Sequence, residues 1–283
     1  MSELIILIGL PASGKSSWCA ENGEGYVVLS SDAIRAELGN EEDQSNNELV
    51  FDILHARLRQ HLAEGDSVII DACNINRKNR RRWIVAANQY KVPFIRAMVF
   101  NIHPDICIIR NSMRQRQVPK EVIKHMMSKF EPPTFWEGFT RLEVSNGQGD
   151  VDNAVGYSKL MIDFDQLNPH HQYDLFNHCF AAAEYVSNKG RPDLFSAAML
   201  HDFGKLFTQS IDEDGIGHYR QHANVSAYYF LLFFPVLSDA ALICYHMWLY
   251  DENMWASLQR KAKSDDLFLR DIQLLHEADL AAH

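Results

Sequence analysis

The sequence predicts two regions of different class: an α/β parallel sheet with helices on both faces, then an all-α helical region. Three observations carry this expectation. Short apolar runs alternate with helical spacing over the first half, and helical spacing dominates the second. The charge also changes between them. Residues 1–150 hold 18 Lys/Arg against 19 Asp/Glu, whereas 151–283 hold 9 against 18, so almost all of the net −10 sits in the second half.

The first half reads as strands at Leu4–Ile8, Gly25–Leu29, Ser67–Ile70 and Pro93–Phe100. Between them, Ser16–Glu21, Ala33–Leu38, Asn46–Ala63, Arg77–Gln89 and Asp105–Arg116 carry helical spacing. Strand–helix alternation predicts a parallel sheet covered on both faces, with ligands beyond the carboxyl ends of its strands. The turn-rich, apolar-poor stretch Val144–Asn153 predicts the boundary between domains at 1–147 and 155–283. After a short segment near Tyr157–Phe164, helices are expected at Leu175–Ser187, Leu194–Leu206, Asn224–Phe234, Ser238–Tyr250 and Asp265–Ala282.

No apolar run reaches the roughly 18 residues that cross a bilayer, and the N-terminus lacks the positive flank of a signal peptide. Cys19, Cys73, Cys107, Cys179 and Cys244 are scattered and odd in number. That argues against a disulfide framework and for a reducing, cytoplasmic address without a membrane partner.

Gly9-Leu10-Pro11-Ala12-Ser13-Gly14-Lys15-Ser16 matches the P-loop pattern G-x-x-x-x-G-K-[ST], following the first strand and opening the first helix. Gly9, Ser13, Gly14, Lys15, Ser16 and Ser17 are the candidate nucleotide-binding residues, for ATP with Mg²⁺. Backbone N–H groups would cradle phosphate, Lys15 would reach the β/γ-phosphates and Ser16 would hold Mg²⁺. Asp32 and Asp71 fall at the tips of the second and third strands, where a carboxylate can deprotonate an attacking hydroxyl. Asp32 also fits a helix N-cap. Arg110, Arg114 and Arg116 cluster at a predicted helix end, where a mobile arginine can neutralise transition-state charge. Arg77–Arg82, five cations in six positions, fits either a solvated face or a nucleic-acid contact.

The segments Gly-Leu-Pro-Ala-Ser-Gly-Lys-Ser-Ser-Trp, Ser-Ser-Asp-Ala-Ile-Arg, Val-Ile-Ile-Asp-Ala-Cys-Asn-Ile-Asn and Arg-Asn-Ser-Met-Arg resemble, in order, phage-type 5′-hydroxyl polynucleotide kinases. The resemblance covers about residues 1–140. It implies Asp32 as general base on a 5′-OH and Arg35 as a contact to the acceptor's phosphate. It likewise implies Lys15 and Arg114 on the transferring phosphoryl group, with Asp71 in the crevice.

In the second half, His201-Asp202 lies in an apolar run expected to be one helix ending near Gly204. Burying such a pair is costly unless something binds it. His178 borders the stripe Leu175, Cys179, Ala182, Ala183 and Val186, a position equally suited to a core histidine. Asp279 follows Ile272 and Leu275 at i+7 and i+3, on an inward helix face. Together these make an N/O site for Mn²⁺, Fe, Ni²⁺, Co²⁺ or Zn²⁺. His222 and His246 are candidates for a second ion.

This half resembles the HD phosphohydrolase superfamily, pattern H…HD…D, matched at His178, His201-Asp202 and Asp279 over about residues 165–283. It is most similar to HD domains appended to bacterial tRNA nucleotidyltransferases. The resemblance implies hydrolysis of 2′,3′-cyclic and 2′-phosphates, with Lys205 and His218 on the scissile phosphate; Lys205 also fits a plain helix-end cation. A metal there would activate water near neutral pH. Jointly the two resemblances imply a bifunctional enzyme healing RNA or DNA ends, with a separate ligase as partner. The alternatives are a nucleoside or small-metabolite kinase fused to an HD nucleotide phosphohydrolase, and an ATP-gated RNA-binding module.

Overall fold

The computed structural model describes residues 2–39, 47–145, 151–168 and 173–282, except the side chains of Val151 and Asp152. It divides into two compact units: Met1–Met126 with Pro133–Asn146, and Met127–Pro132 with Gly147–His283. Residues 146–150 of the turn-rich stretch lie outside the described residues.

The first unit opens with β1 (Glu3–Gly9), α1 (Lys15–Asn22), β2 (Val27–Ser30), α2 (Ser31–Glu37), α3 (Asn47–Glu64) and β3 (Val68–Asp71). It continues through α4 (Arg77–Gln89), β4 (Phe94–Phe100), α5 (Pro104–Ser112), α6 (Lys120–Met127) and β5 (Arg141–Val144). The five strands form one parallel sheet in the order β2-β3-β1-β4-β5. β1 is central, and Leu4 through Ile8 are all fully buried, as a strand covered on both faces requires. Ile5, Leu7, Ile69, Met98 and Phe100 join one buried cluster against Trp18 and Tyr26.

Two departures from the sequence expectation bear on function. The predicted helix Asp105–Arg116 ends at Ser112, so Arg114 and Arg116 belong to the connection after α5. The basic run on α4 is not one solvated face. Arg80 is fully buried and pairs in a fork with Glu137, Nε to Oε2 at 2.9 Å and Nη2 to Oε1 at 2.6 Å. β5 and α6 were not foreseen; β5 has four residues, none of them fully buried, and α6 has only eight.

The second unit runs α7 (Val151–Ser158), α8 (Leu175–Asn188), α9 (Phe195–Leu200), α10 (Lys205–Thr208), β6 (Gln209–Ile211) and β7 (Gly217–Tyr219). α11 (His222–Phe233), α12 (Leu237–Tyr245), α13 (Glu252–Lys261) and α14 (Asp266–Ala281) complete it. The predicted helix Leu194–Leu206 is broken: α9 stops at Leu200, residues 201–204 turn, and α10 restarts at Lys205. The predicted Ser238–Tyr250 likewise leaves the α-helix at Tyr245 and continues as a 3-10 turn, His246–Tyr250. The unit is helical but not all-α, since β6 and β7 form an antiparallel hairpin. Phe130 belongs to this unit, its ring 5.2 Å from Tyr228 and its carbonyl accepting from Asn224 Nδ2 at 2.8 Å. Among the described residues no helix is long and apolar enough to cross a membrane.

Breaking one side of a buried ion pair leaves an uncompensated charge. Arg80→Ala is therefore expected to lower the unfolding free energy of the first unit by about 3–5 kcal/mol, read by urea denaturation. Arg81→Ala, on an exposed position of the same helix, is expected to change it by less than about 0.5 kcal/mol.

Candidate functional site

The first unit gathers its chemistry at the carboxyl ends of β1, β2 and β3. The loop between β1 and α1 turns on Gly14, the N-cap of α1, whose φ of +98° strains any residue with a Cβ. The buried Lys15 ammonium donates to the carbonyls of Gly9 (3.0 Å) and Leu10 (2.8 Å) and to Ser13 Oγ (3.3 Å). Ser16 Oγ donates to Asp71 Oδ2 at 2.8 Å, joining the loop to the end of β3. A hydroxyl paired with a carboxylate beside a phosphate-binding loop is the donor set that suits Mg²⁺. Asn74 fixes this junction. Its side-chain amide donates to Leu7 O (2.8 Å) and its oxygen accepts from Trp83 Nε1 (2.9 Å), at a φ of +47° that asparagine tolerates. Periodicity gave no sign of that role.

Asp32 is not the cap of α2. Ser30 is, accepting from Ala33 N at 3.5 Å, which leaves the Asp32 carboxylate half exposed and available. Three guanidinium groups converge on it: Arg116 Nη1 at 2.7 Å, Arg35 Nη1 at 3.0 Å and Arg114 Nη2 at 3.7 Å. Arg35 is held from its other side by Asn47 Oδ1 at 2.8 Å. Arg116 is the nearest of the three. A carboxylate able to accept a proton, ringed by cations that attract phosphate, is the pairing phosphoryl transfer uses.

The second unit brings together all six predicted metal-ligating residues. His178 comes from α8, His201 and Asp202 from the turn after α9, and Asp279 from α14, and together they form one buried group. Asp202 also forms a second buried group with His222 and His246. Asp279 Oδ1 lies 3.1 Å from His178 Nε2 and 3.4 Å from His201 Nε2. Asp202 Oδ2 lies 3.5 and 3.6 Å from the same two atoms, while its Oδ1 lies 3.0 Å from His222 Nε2 and 3.6 Å from His246 Nε2. The carboxylate of Asp202 thus serves one group with each oxygen.

Backbone carbonyls set the ring orientations. Nδ1 of His201, His222 and His246 meets the carbonyl three residues earlier, Ala198 (2.7 Å), Tyr219 (2.8 Å) and Ile243 (2.7 Å). His178 Nδ1 meets Ala282 O at 3.1 Å. A carbonyl accepts only, so each Nδ1 carries hydrogen, and a neutral ring then aims the Nε2 lone pair at carboxylate oxygens. A divalent cation among these atoms would take the Nε2 lone pairs and the carboxylate charge together, and the N/O donor set fits Mn²⁺, Fe, Co²⁺, Ni²⁺ or Zn²⁺. Gly204 makes the approach possible. A Cβ there would stand 2.1 Å from His222 O and 2.7 Å from Ser226 N, so only glycine lets this turn press against the start of α11.

Without an ion, protons on the imidazoles take the cation's place. Burial opposes charge on His178, yet Asp202 and Asp279 prevail and raise its pKa to about 9. His246 is likewise raised, the Asp202 carboxylate outweighing burial. Burial pushes Asp202 upward, but Lys205 and His201 hold it well below the ordinary carboxylate value. Asp279 is held well below by His178 and His201, again against burial. Lys205 Nζ sits 2.6 Å from Asp202 Oδ2 and donates to the buried Gln166 Oε1 at 2.7 Å. Tyr250 donates to Asp279 Oδ2 at 2.8 Å, leaving Oδ1 for the imidazoles. Neither Gln166 nor Tyr250 was signalled by the sequence. Beside the group lies a cavity of about 430 Å³, lined by Asn168, Asp202, Lys205, Gly217, His218, Tyr219, His222, Met247, Tyr250 and Asp279.

A metal ligating His178 Nε2 must displace its proton. Metal affinity is therefore expected to rise about tenfold per pH unit between pH 7 and about 9, then level off. Titration of metal-stripped protein with Mn²⁺ at pH 7, 8 and 9.5 reads this; equal affinity at all three would exclude His178 as a ligand. Asp202→Ala is expected to abolish bound metal in elemental analysis, with about 10–100-fold weaker binding in Tyr250→Phe through loss of the Asp279 contact.

Residues 4–133 match the family described as AAA domain. Over 148 residues, half of this chain, the protein is 26% identical to the bifunctional polynucleotide phosphatase/kinase of Schizosaccharomyces pombe, spanning 33% of that relative. It is 29% identical over 172 residues to the L-seryl-tRNA(Sec) kinase of Methanococcus maripaludis, 58% of this chain and 66% of the relative. The chain thus spans less than two thirds of the length of either relative. A solved Pnkp1/Rnl/Hen1 RNA repair complex aligns at a TM-score of 0.41 and 21% identity, covering 45% of this chain and 43% of that one. The parallel sheet and its loop, on which Lys15, Ser16 and Asp71 meet, are those of a kinase-like P-loop domain related to polynucleotide kinase and other kinases.

Proposed function

We propose that the protein is a bifunctional RNA end-healing enzyme. Its first unit phosphorylates 5′-OH ends from ATP and Mg²⁺, and its second removes 2′,3′-cyclic, 2′ or 3′ phosphates with a divalent transition metal. The observation that carries the reading is the buried convergence of four imidazoles on Asp202 and Asp279, beside a cavity that also presents Lys205 and His218. That arrangement adds a second chemistry to a kinase-like P-loop domain.

In the kinase unit, Lys15 neutralises the β/γ-phosphates, and Ser16 with Asp71 holds the magnesium. Asp32 accepts the 5′-hydroxyl proton. Arg35 holds the acceptor's phosphate, and Arg114 spreads over the transferring group. These roles use the cations now gathered on Asp32. In the hydrolase unit, His178, His201, Asp202 and Asp279 hold one metal, and Asp202, His222 and His246 a second. A metal there supplies a nucleophile at neutral pH and stabilises oxyanion charge. Lys205 draws the phosphate toward the group. The products, 5′-phosphate and free 2′,3′-hydroxyl ends, are the substrates of a separate ligase.

The test is one RNA bearing 5′-OH and 2′,3′-cyclic phosphate ends, incubated with ATP and with Mg²⁺, Mn²⁺ or Ni²⁺. Both ends should be converted; phosphorylation of free nucleosides in preference to RNA would move the kinase to small substrates. Lys15→Ala should abolish 5′ phosphorylation and Arg114→Ala should slow it by about 10³–10⁵, each leaving the cyclic-phosphate activity intact. Loss of both activities in Lys15→Ala would refute independent sites.

A further inference from the structure

The hairpin β6–β7 carries a pair that neither metal group uses. His218, on β7, lines the cavity beside Lys205, Tyr250 and Asp279. Its Nε2 lies 2.7 Å from Asp212 Oδ2 in the turn between the strands. Asp212 is itself fixed: its Oδ1 accepts from the backbone N–H of Asp214 at 3.0 Å and of Ile216 at 2.9 Å. Its carboxyl is held below the usual carboxylate range, first by the His218 hydrogen bond and then by the Ile216 N–H. A turn thus builds a carboxylate, the carboxylate orients an imidazole, and the imidazole borders the cavity.

This inference rests on the metallohydrolase reading of the second unit. We infer that His218 is the proton donor to the leaving ribose oxygen and that Asp212 is its positioning residue. With Nε2 committed to Asp212, Nδ1 is the atom that delivers the proton. The geometry separates two needs of phosphate-ester hydrolysis. Attack on phosphorus is supplied by the buried group around Asp202. Departure of an alkoxide falls outside its four imidazoles, because His178, His201, His222 and His246 have Nδ1 on backbone carbonyls and Nε2 on carboxylates.

The step balances. Water oxygen forms a new P–O bond, and the bond from phosphorus to O2′ or O3′ breaks with its electron pair on the sugar oxygen. The imidazolium N–H of His218 passes to that oxygen, giving a neutral hydroxyl. The water's proton leaves to solvent, and solvent returns a proton to His218. General acid catalysis of this kind contributes about 10²–10⁴-fold, and it matters only where the leaving group is a poor one.

The experiment compares leaving groups on the full-length, Mn²⁺-loaded protein: a 2′,3′-cyclic nucleotide, which expels a ribose oxygen, and p-nitrophenyl phosphate, which expels a stable phenolate. His218→Ala should lose about 10²–10⁴-fold on the cyclic nucleotide and less than about tenfold on the phenyl ester. Asp212→Asn should lose about 10–100-fold, on the cyclic nucleotide alone. Metal content should equal wild type in both variants, which separates a proton donor from a structural residue. Equal losses on the two esters, or none on either, would overturn the assignment. Wild-type protein that binds metal but cleaves neither ester would overturn the metallohydrolase reading itself, and the donor role with it.

Discussion

The second unit depends on one buried anion. Asp202 is only 3% exposed, and a carboxylate so far from water is tolerated only if cations and donors surround it. Lys205 supplies one full charge at 2.6 Å, and the imidazoles supply the rest of the shell. Elements distant in sequence are tied to this one side chain: α8 through His178, α11 through His222, the 3-10 turn after α12 through His246. α14 joins through Asp279, which shares two of those imidazoles. The price of keeping that anion buried explains why so many polar groups sit where apolar packing would otherwise prevail.

The backbone builds this shell by ending helices. His201 stands one residue beyond α9 and His246 one residue beyond α12. The last carbonyls of a helix have no partner within it, and here Ala198 O and Ile243 O are taken by the two Nδ1 atoms. A helix end becomes the support of an imidazole, fixing its tautomer and its aim. Both contacts fall where α9 stops short of Leu206 and α12 stops short of Tyr250.

Much of this was legible in the sequence, for reasons that differ by residue. β1 and the loop that follows were readable because a fully buried parallel strand is continuously apolar and the phosphate-binding loop has fixed spacing. Asp279 was readable because helical period placed it inward with Ile272 and Leu275, all three of them buried. The breaks at Leu200 and Tyr245 were not readable, since apolar spacing continues through both and the contacts found there are with side chains and elements distant in sequence. Arg80 was hidden for the opposite reason: it looks like its neighbours Arg81 and Arg82, and its burial is offset by Glu137, 57 positions away, together with the carbonyls of Asn74 and Ile75. Tyr250, Gln166 and Asp212 act through another residue's side chain, a relation that no local period records.

The two units place their key carboxylates in opposite surroundings, and the difference fits the chemistry proposed for each. Asp32 is half exposed, ringed by arginines that are themselves partly solvated. Those contacts are individually weak, so an incoming polyanion can take the guanidinium groups and release the carboxylate for a hydroxyl proton. Asp202 is enclosed, and removal of any one partner leaves charge with no water to receive it. A carboxylate that must exchange partners during a reaction belongs at the surface, among cations that prefer phosphate. One that must keep its partners belongs inside, among imidazoles whose second nitrogen is already committed. By that criterion Asp32 suits the proton-accepting role proposed for it, and Asp202 the metal-holding one.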